Sequence, residues 1–223
     1  MAAEIAHEIN QPLTAIANYS AACLRALQNE QPVTKVMGWL EQVNFQAKRA
    51  SQIVQQLRAF IRKGKIPPAV VDINQLVREV ADCTAMEARA QGITISIQPT
   101  GEACHITVDR LLIEQVIMNL IRNAMEALDG MDSVERHLRI KVTRGVETIA
   151  ISVCDNGPGI PTELGERIFE PFVTSKHEGL GMGLAICRSI VEAHGGALTV
   201  TNTPGEGATF TFTLPLPGEE EHV

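Results

Sequence analysis

Apolar residues in the first part of the chain recur every three or four positions: Ile5, Ile9, Leu13, Ile16, Leu24 and Leu27, then Val36, Leu40, Val43, Ala47, Ala50, Val54, Leu57 and Ile61. Both series are signatures of amphipathic helices. Polar residues around Asn29 break the pattern, and Pro32 suits the first turn of a new helix. The pattern predicts a helical hairpin. Two helices cannot enclose both sides of so long an apolar stripe. Two hairpins paired as a four-helix bundle can, so a homodimer is expected; the other option is that the stripe packs on the rest of its own chain.

Gly64–Val71 (GKIPPAVV) reads as a linker, because Pro67-Pro68 ends any helix. Beyond it the period changes. Asp72 predicts an N-cap for a helix over Ile73–Ala90, stopped by Gly92, and further helices are expected over Asp109–Leu128 and Gly183–Ala193. Ile93–Gln98, Leu138–Thr143 and Thr148–Val153 alternate as strands do, and Ala197–Thr201 with Ala208–Leu214 reads as a terminal hairpin. The expected organisation is a helical hairpin over residues 1–64, a linker over 65–71, an α+β two-layer sandwich over 72–217 and a polar tail over 218–223.

Composition narrows the classes. The 223 residues are 45% hydrophobic but 4% aromatic, so any core is mainly aliphatic. A net charge of −7 without a basic stripe argues against nucleic-acid binding. Cys23, Cys83, Cys104, Cys154 and Cys187 are scattered and form no C-x-x-C pair, which reads as reduced thiols in a cytoplasmic protein. No apolar run approaches the roughly 18 to 20 residues that cross a bilayer. The chain opens directly into a helical pattern, with its most reactive-looking histidine, His7, near the start. It is therefore expected to be the downstream piece of a longer protein, with any membrane contact in the upstream part.

Three polar blocks carry candidate chemistry. Asp155-Asn156-Gly157-Pro158-Gly159-Ile160 follows an apolar strand; its glycines permit close backbone approach, and a carboxylate at a strand end can accept a hydrogen bond from an exocyclic amine such as that of adenine. Gly179-Leu180-Gly181-Met182-Gly183-Leu184 leads straight into a helix, whose first amides suit phosphate oxygens. No Walker A lysine is present, and Leu184 breaks G-x-G-x-x-G. Asn119 and Asn123 are four apart inside a helix, hence on one face, although asparagine is a poor helix former. An amide oxygen there can ligate Mg²⁺ beside phosphates and water. Each block alone also has a structural reading as an ordinary loop or helix-to-loop bond.

In this order and spacing, residues 105–214 resemble the ATP-binding fold shared by histidine kinases, type II topoisomerases, mismatch-repair ATPases and heat-shock chaperones. The resemblance implies ATP and Mg²⁺ as ligands, with Asn123 on the metal, Asn119 beside it and Asp155 on the adenine amine. It further implies that Gly157 and Gly159 shape the base pocket, that Gly179, Gly181 and Gly183 close the phosphate end, and that Thr209 is a second adenine-side contact. Ile168-Phe169-Glu170-Pro171-Phe172 resembles the phenylalanine motif of the histidine kinases, within a lid of about Asn156 to Met182 in which Lys176 is a candidate phosphate partner. One position departs: the family's basic residue three places after the metal-binding asparagine is here Glu126, leaving Arg122 or Lys176 to face the phosphates.

His7-Glu8-Ile9-Asn10-Gln11-Pro12-Leu13 is close to H-E-x-x-H, but Gln11 replaces the second histidine and excludes that zinc site. Glu8 is near enough to bond one ring nitrogen of His7, Gln11 lies one turn on where it could hold a water, and Pro12 is expected to kink or loosen the helix. The block resembles the phospho-acceptor motif of histidine kinases, in the branch reading H-E-[LI]-N-Q-P-L. That resemblance implies autophosphorylation of His7 from ATP, then transfer to an aspartate of a response-regulator receiver domain, with Gln11 a candidate for phosphatase chemistry. The alternatives are an ATPase of the same fold driving a conformational clamp, and a degenerate kinase acting as a dimeric scaffold.

Overall fold

The computed structural model describes residues 2–29, 31–61, 68–101, 103–129, 131, 135–171, 173, 181–203 and 205–217. The chain divides into two compact units, Met1–Lys63 and Gly64–Val223.

The first unit is the expected hairpin of α1 (Ala2–Gln28) and α2 (Val33–Ile61). The turn is tied by the Gln31 amide, which donates to the Ala26 carbonyl at 2.9 Å. Next to it Cys23, Ala26 and Val36 are buried with Trp39 packed against them, and Lys35 sits 5.3 Å from the Trp39 ring centroid. Away from this knot Leu13, Leu24, Leu27, Met37, Leu40 and Phe45 are exposed. Helix α1 runs through Pro12, the position where a kink or loosening is expected, and Pro12 itself is buried. A proline costs a helix one hydrogen bond but need not end it when packing holds the flanking turns.

The second unit runs β1 (Ala69–Asp72), α3 (Ile73–Ala90), β2 (Ile93–Gln98), β3 (His105–Val108), α4 (Arg110–Leu128), β4 (Arg136–Arg144), β5 (Thr148–Asp155), a 3₁₀ turn (Gly165–Phe169), α5 (Gly183–Ala193), β6 (Ala197–Thr203) and β7 (Gly207–Pro215). Five strands form one mixed sheet in the order β2-β4-β5-β7-β6, with β2 parallel to β4 and the other pairs antiparallel. Helix α3 lies over β2, α4 over β4 and β5, and α5 over β6 and β7. Strand alternation sends Leu138, Ile140, Ile149, Ile151, Phe212 and Leu214 into the layer beneath the helices, leaving the other face polar. Asp72 caps α3 as its position predicts, and Asp109, expected as the first helical residue, is instead the N-cap of α4; each carboxylate accepts amide bonds from the first turn at about 3 Å.

One part of the linker reading is corrected. Residues 69–71 belong to β1, which pairs antiparallel with β3 from Ala69↔Val108 to Asp72↔His105. Each strand is four residues long, too short to show a period, and their pairing joins segments more than thirty positions apart in sequence. The ribbon lies outside the five-stranded sheet.

Candidate functional site

The stripe Asn119, Asn123, Ala127 runs along one face of α4, each residue four positions from the next. At its far end a Cβ on Gly157 would lie 3.4 Å from the Ala127 carbonyl oxygen and 2.8 Å from a carboxylate oxygen of Asp155. At its near end Asn119 donates from its amide nitrogen to the Gly183 carbonyl at 3.3 Å and towards the Cys187 sulfur at 3.5 Å. The stripe thus spans from the Asp155 loop to the start of α5. Asn123 lies between, half-buried and without a side-chain partner among the described residues.

Asp155 ends β5 and is almost wholly buried. Its Oδ1 accepts from the Gly157 amide at 2.9 Å and from the Ala208 amide at 3.3 Å. Burial pushes its carboxyl above the usual range, and the backbone hydrogen bonds oppose that rise. Both bonds use Oδ1, and Oδ2 has no hydrogen-bond partner among the described residues. Glycines make the close quarters possible: Gly207 has φ of +116°, and any Cβ there would run into the Asp155 carbonyl oxygen.

The loop after Asp155 is held on both sides. Asn156 accepts from the His137 amide at 2.7 Å and donates to the Glu135 carbonyl at 2.8 Å, extending the start of β4. Gly159 takes a φ of +75°, and the Gly205 amide donates to the Pro158 carbonyl at 2.8 Å. Asn202 of β6 grips Ile160, accepting from its amide at 2.7 Å and donating to its carbonyl at 2.8 Å. Asn156, Asn202, Gly207 and Ala208 were not singled out as site residues from sequence. The available signals were an asparagine in a strand, where it is disfavoured, and a glycine beside the strand core.

Helix α5 starts at Gly183, where the cap residue Met182 makes no side-chain hydrogen bond to the first-turn amides, and Gly181 just before it takes a φ of +62°. A Cβ on Gly183 would sit 3.4 Å from the Asn119 amide nitrogen, so the lack of a side chain lets the two helices meet there. Cys187 is fully buried, which pushes its thiol up to about 12 and leaves it a packing group. Phe169 is buried edge-on to Phe210 at 6.5 Å, with the Arg188 guanidinium 5.4 Å from its ring centroid, anchoring the phenylalanine motif on α5. Lys176 and Gly179 lie outside the described residues. Arg122 has its Nε buried without a partner among the described residues.

Thr209 requires a correction. It pairs with Cys154 across β5 and β7, one position out of phase with Asp155, and so shares the sheet face away from the helices with Ser152 and Thr211. The neighbouring Ala208 meets Asp155 instead, through its backbone amide.

A metal at this site fits the residues present only in part-share. Among the described residues no group of three His, Cys, Asp or Glu could hold an ion. The unpartnered Asn123 amide suits a hard cation that takes its other oxygens from phosphates and water. In the hairpin, His7 and Glu8 belong to α1, and Gln11 on the same helix is exposed.

Comparison with known proteins accounts for both units. Residues 108–218 match the family described as histidine kinase-, DNA gyrase B-, and HSP90-like ATPase, and residues 1–65 match the His Kinase A (phospho-acceptor) domain. The C4-dicarboxylate transport sensor protein DctS of Rhodobacter capsulatus is 38% identical over 98% of this chain and 34% of its own length. The sensor protein FixL of Bradyrhizobium diazoefficiens is 37% identical over 98% of this chain and 44% of its own. The chain therefore spans less than half the length of these relatives. The catalytic domain of histidine kinase ThkA is similar at 34% identity and a TM-score of 0.61, covering 68% of this chain and 97% of that one. ThkA in complex with response regulator protein TrrA is similar at 29% identity and a TM-score of 0.74, covering 99% of this chain and 62% of that one. With a phospho-acceptor hairpin ahead of an ATPase unit of this kind, the chain belongs to the sensor histidine kinases.

Proposed function

We propose that this chain binds ATP in the second unit, transfers its γ-phosphoryl group to His7, and passes that group to an aspartate of a response-regulator receiver domain. The observation that carries the reading is the α4 stripe, which links a buried carboxylate with one free oxygen to a glycine-led helix start. Asp155 Oδ2 accepts from the adenine amine, with Gly157 and Gly159 lining the base. Asn119 holds the start of α5, whose amides meet phosphate oxygens. Mg²⁺, held by Asn123, would neutralise the charge that develops on the phosphates. Gly179, Gly181, Gly183 and Lys176 complete the phosphate end on this reading.

Phosphoryl transfer depends chiefly on positioning and charge neutralisation. A ring nitrogen of His7 attacks the γ-phosphorus in line, the bond from phosphorus to the bridging oxygen breaks, and ADP leaves. Glu8 bonds the other ring nitrogen, and Gln11 holds a water that attacks the receiver's phospho-aspartate, releasing inorganic phosphate and the free carboxylate. The hairpin's exposed leucines support a homodimer with α1 and α2 of a second copy. Among the described residues no helix is long and apolar enough to cross a membrane. Since ATP is the substrate, we place this part of the protein in the cytoplasm.

Incubation with γ-labelled ATP and Mg²⁺ tests the reading. It predicts label that is lost in acid, kept in alkali, and discharged on adding the receiver. Label stable to acid, or ATP hydrolysed with no labelled protein, would refute it in favour of another kinase or a clamp ATPase.

A further inference from the structure

One rung of the β6–β7 ladder, Asn202↔Ala208, holds both ends of the loop from Asp155 to Ile160. On one side the Ala208 amide fixes the Asp155 carboxylate; on the other the Asn202 carboxamide takes both backbone groups of Ile160, at 2.7 and 2.8 Å. The pairing imitates a strand neighbour: a planar side chain offers one acceptor and one donor where a backbone would offer C=O and N–H. Asparagine is the smallest side chain that can do so, while threonine, valine or isoleucine would suit the strand better on propensity alone. The same hairpin adds a third tie, from the Gly205 amide to the Pro158 carbonyl. Alternation places Asn202 with Leu198 on the helix-facing side of β6, half-buried.

We propose that Asn202 is a positioning residue for the nucleotide's base. It touches neither base nor phosphate, and acts through Ile160 by fixing the path of the Gly157–Gly159 segment relative to Asp155. The proposal rests on the reading of Asp155 as the adenine contact. Its consequence is specific to one end of the site. The phosphate end is tied separately, by Asn119 to Gly183, and involves no atom of Asn202. Loosening Ile160 therefore weakens nucleotide capture but leaves the transfer step intact once nucleotide is bound.

The test measures autophosphorylation of the whole chain against ATP concentration for Asn202→Ala, Asn202→Thr and Asp155→Asn. Asn202→Ala is expected to raise the half-saturating ATP concentration about tenfold, the scale of one or two lost hydrogen bonds, with the rate at saturation within about twofold. Asn202→Thr keeps a strand-forming residue and replaces the carboxamide by one hydroxyl. It should melt with the parent and still show a raised half-saturation, so the test survives if the alanine variant folds poorly. A parent-like half-saturation in the threonine variant, or a fall in the saturated rate without a change in half-saturation, overturns the proposal. Asp155→Asn separates the two layers of argument: if it too binds like the parent, the base-pocket reading itself fails, whereas a crippled Asp155→Asn beside a parent-like Asn202→Thr sinks only the role given to Asn202.

Discussion

The two units treat their apolar residues in opposite ways. In the ATPase unit Leu120, Leu138, Ile140 and Phe212 are completely buried between the helices and one sheet. In the hairpin Leu24 and Leu40 remain 63% and 52% exposed, although they stand in regular helical series. Apolar surface left in water forfeits about 25 cal/mol per Å² that burial would return. The ATPase unit closes its aliphatic core on itself, whereas the hairpin leaves much of its apolar stripe in water. The contrast separates the two functions on the reading proposed above: nucleotide binding needs one chain, whereas the exposed stripe of the hairpin calls for a second copy.

The sharpest way to break the comparison is to charge the exposed stripe. Leu24→Glu with Leu40→Glu should convert a dimer into a species of the 24.2 kDa chain mass, read by light scattering at micromolar concentration. ATP affinity should stay within about twofold, since a charge of this kind costs stability only where it must be buried. Loss of ATP binding in the monomer would show that the pocket is not self-sufficient.

A smaller effect is expected inside the pocket. Asp155→Asn keeps an oxygen for the Gly157 and Ala208 amides but turns Oδ2 into a donor facing the adenine amine. ATP affinity should fall by about a hundredfold or more, the cost of losing a charged hydrogen bond and opposing two donors. Calorimetry showing unchanged affinity would remove Asp155 from the site.

Smallest is the effect of pH on stability. Because burial raises the Asp155 pKa, the native state keeps its proton longer than the unfolded chain does. The resulting contribution is fully present below the ordinary aspartate pKa and is lost as pH rises through the folded value. Asp155→Asn removes this loss, so the variant should match or exceed the parent in Tm at neutral pH, with the gap closing in acid. A variant that melts well below the parent at neutral pH would mean that the charge is held by more than the backbone amides.

Much of this architecture was legible because it is locally determined. Asp72 and Asp109 announce helix starts, and alternation in Leu138–Thr143 and Thr148–Val153 announces strands whose inner faces meet the helices. β1 and β3 were hidden because neither carries a period of its own; each exists by pairing with the other. At the site, the carboxylate, the two asparagines of α4 and the glycine blocks were readable as residue types. Their supports were not. Asn202 and Asn156 act on backbone atoms brought near only by the fold, and Asn119 makes a bond of the structural kind the sequence left open, tying α4 to Gly183. The misplacement of Thr209 had a remedy in the sequence itself. Phe210 and Phe212 fix the phase of β7, which turns Thr209 outward and leaves Ala208 facing Asp155.

The central claim is that the ATPase unit delivers phosphate to one residue of the hairpin. The chain contains 6 histidines, of which His7 alone stands on α1. Peptide mapping of the protein after brief exposure to Mg-ATP, with alkaline handling to preserve phosphohistidine, reads the acceptor directly. The account predicts a single phosphorylated peptide containing His7, and its disappearance in His7→Gln with ATP affinity retained. Phosphate on any other histidine, or undiminished labelling of His7→Gln, would contradict it.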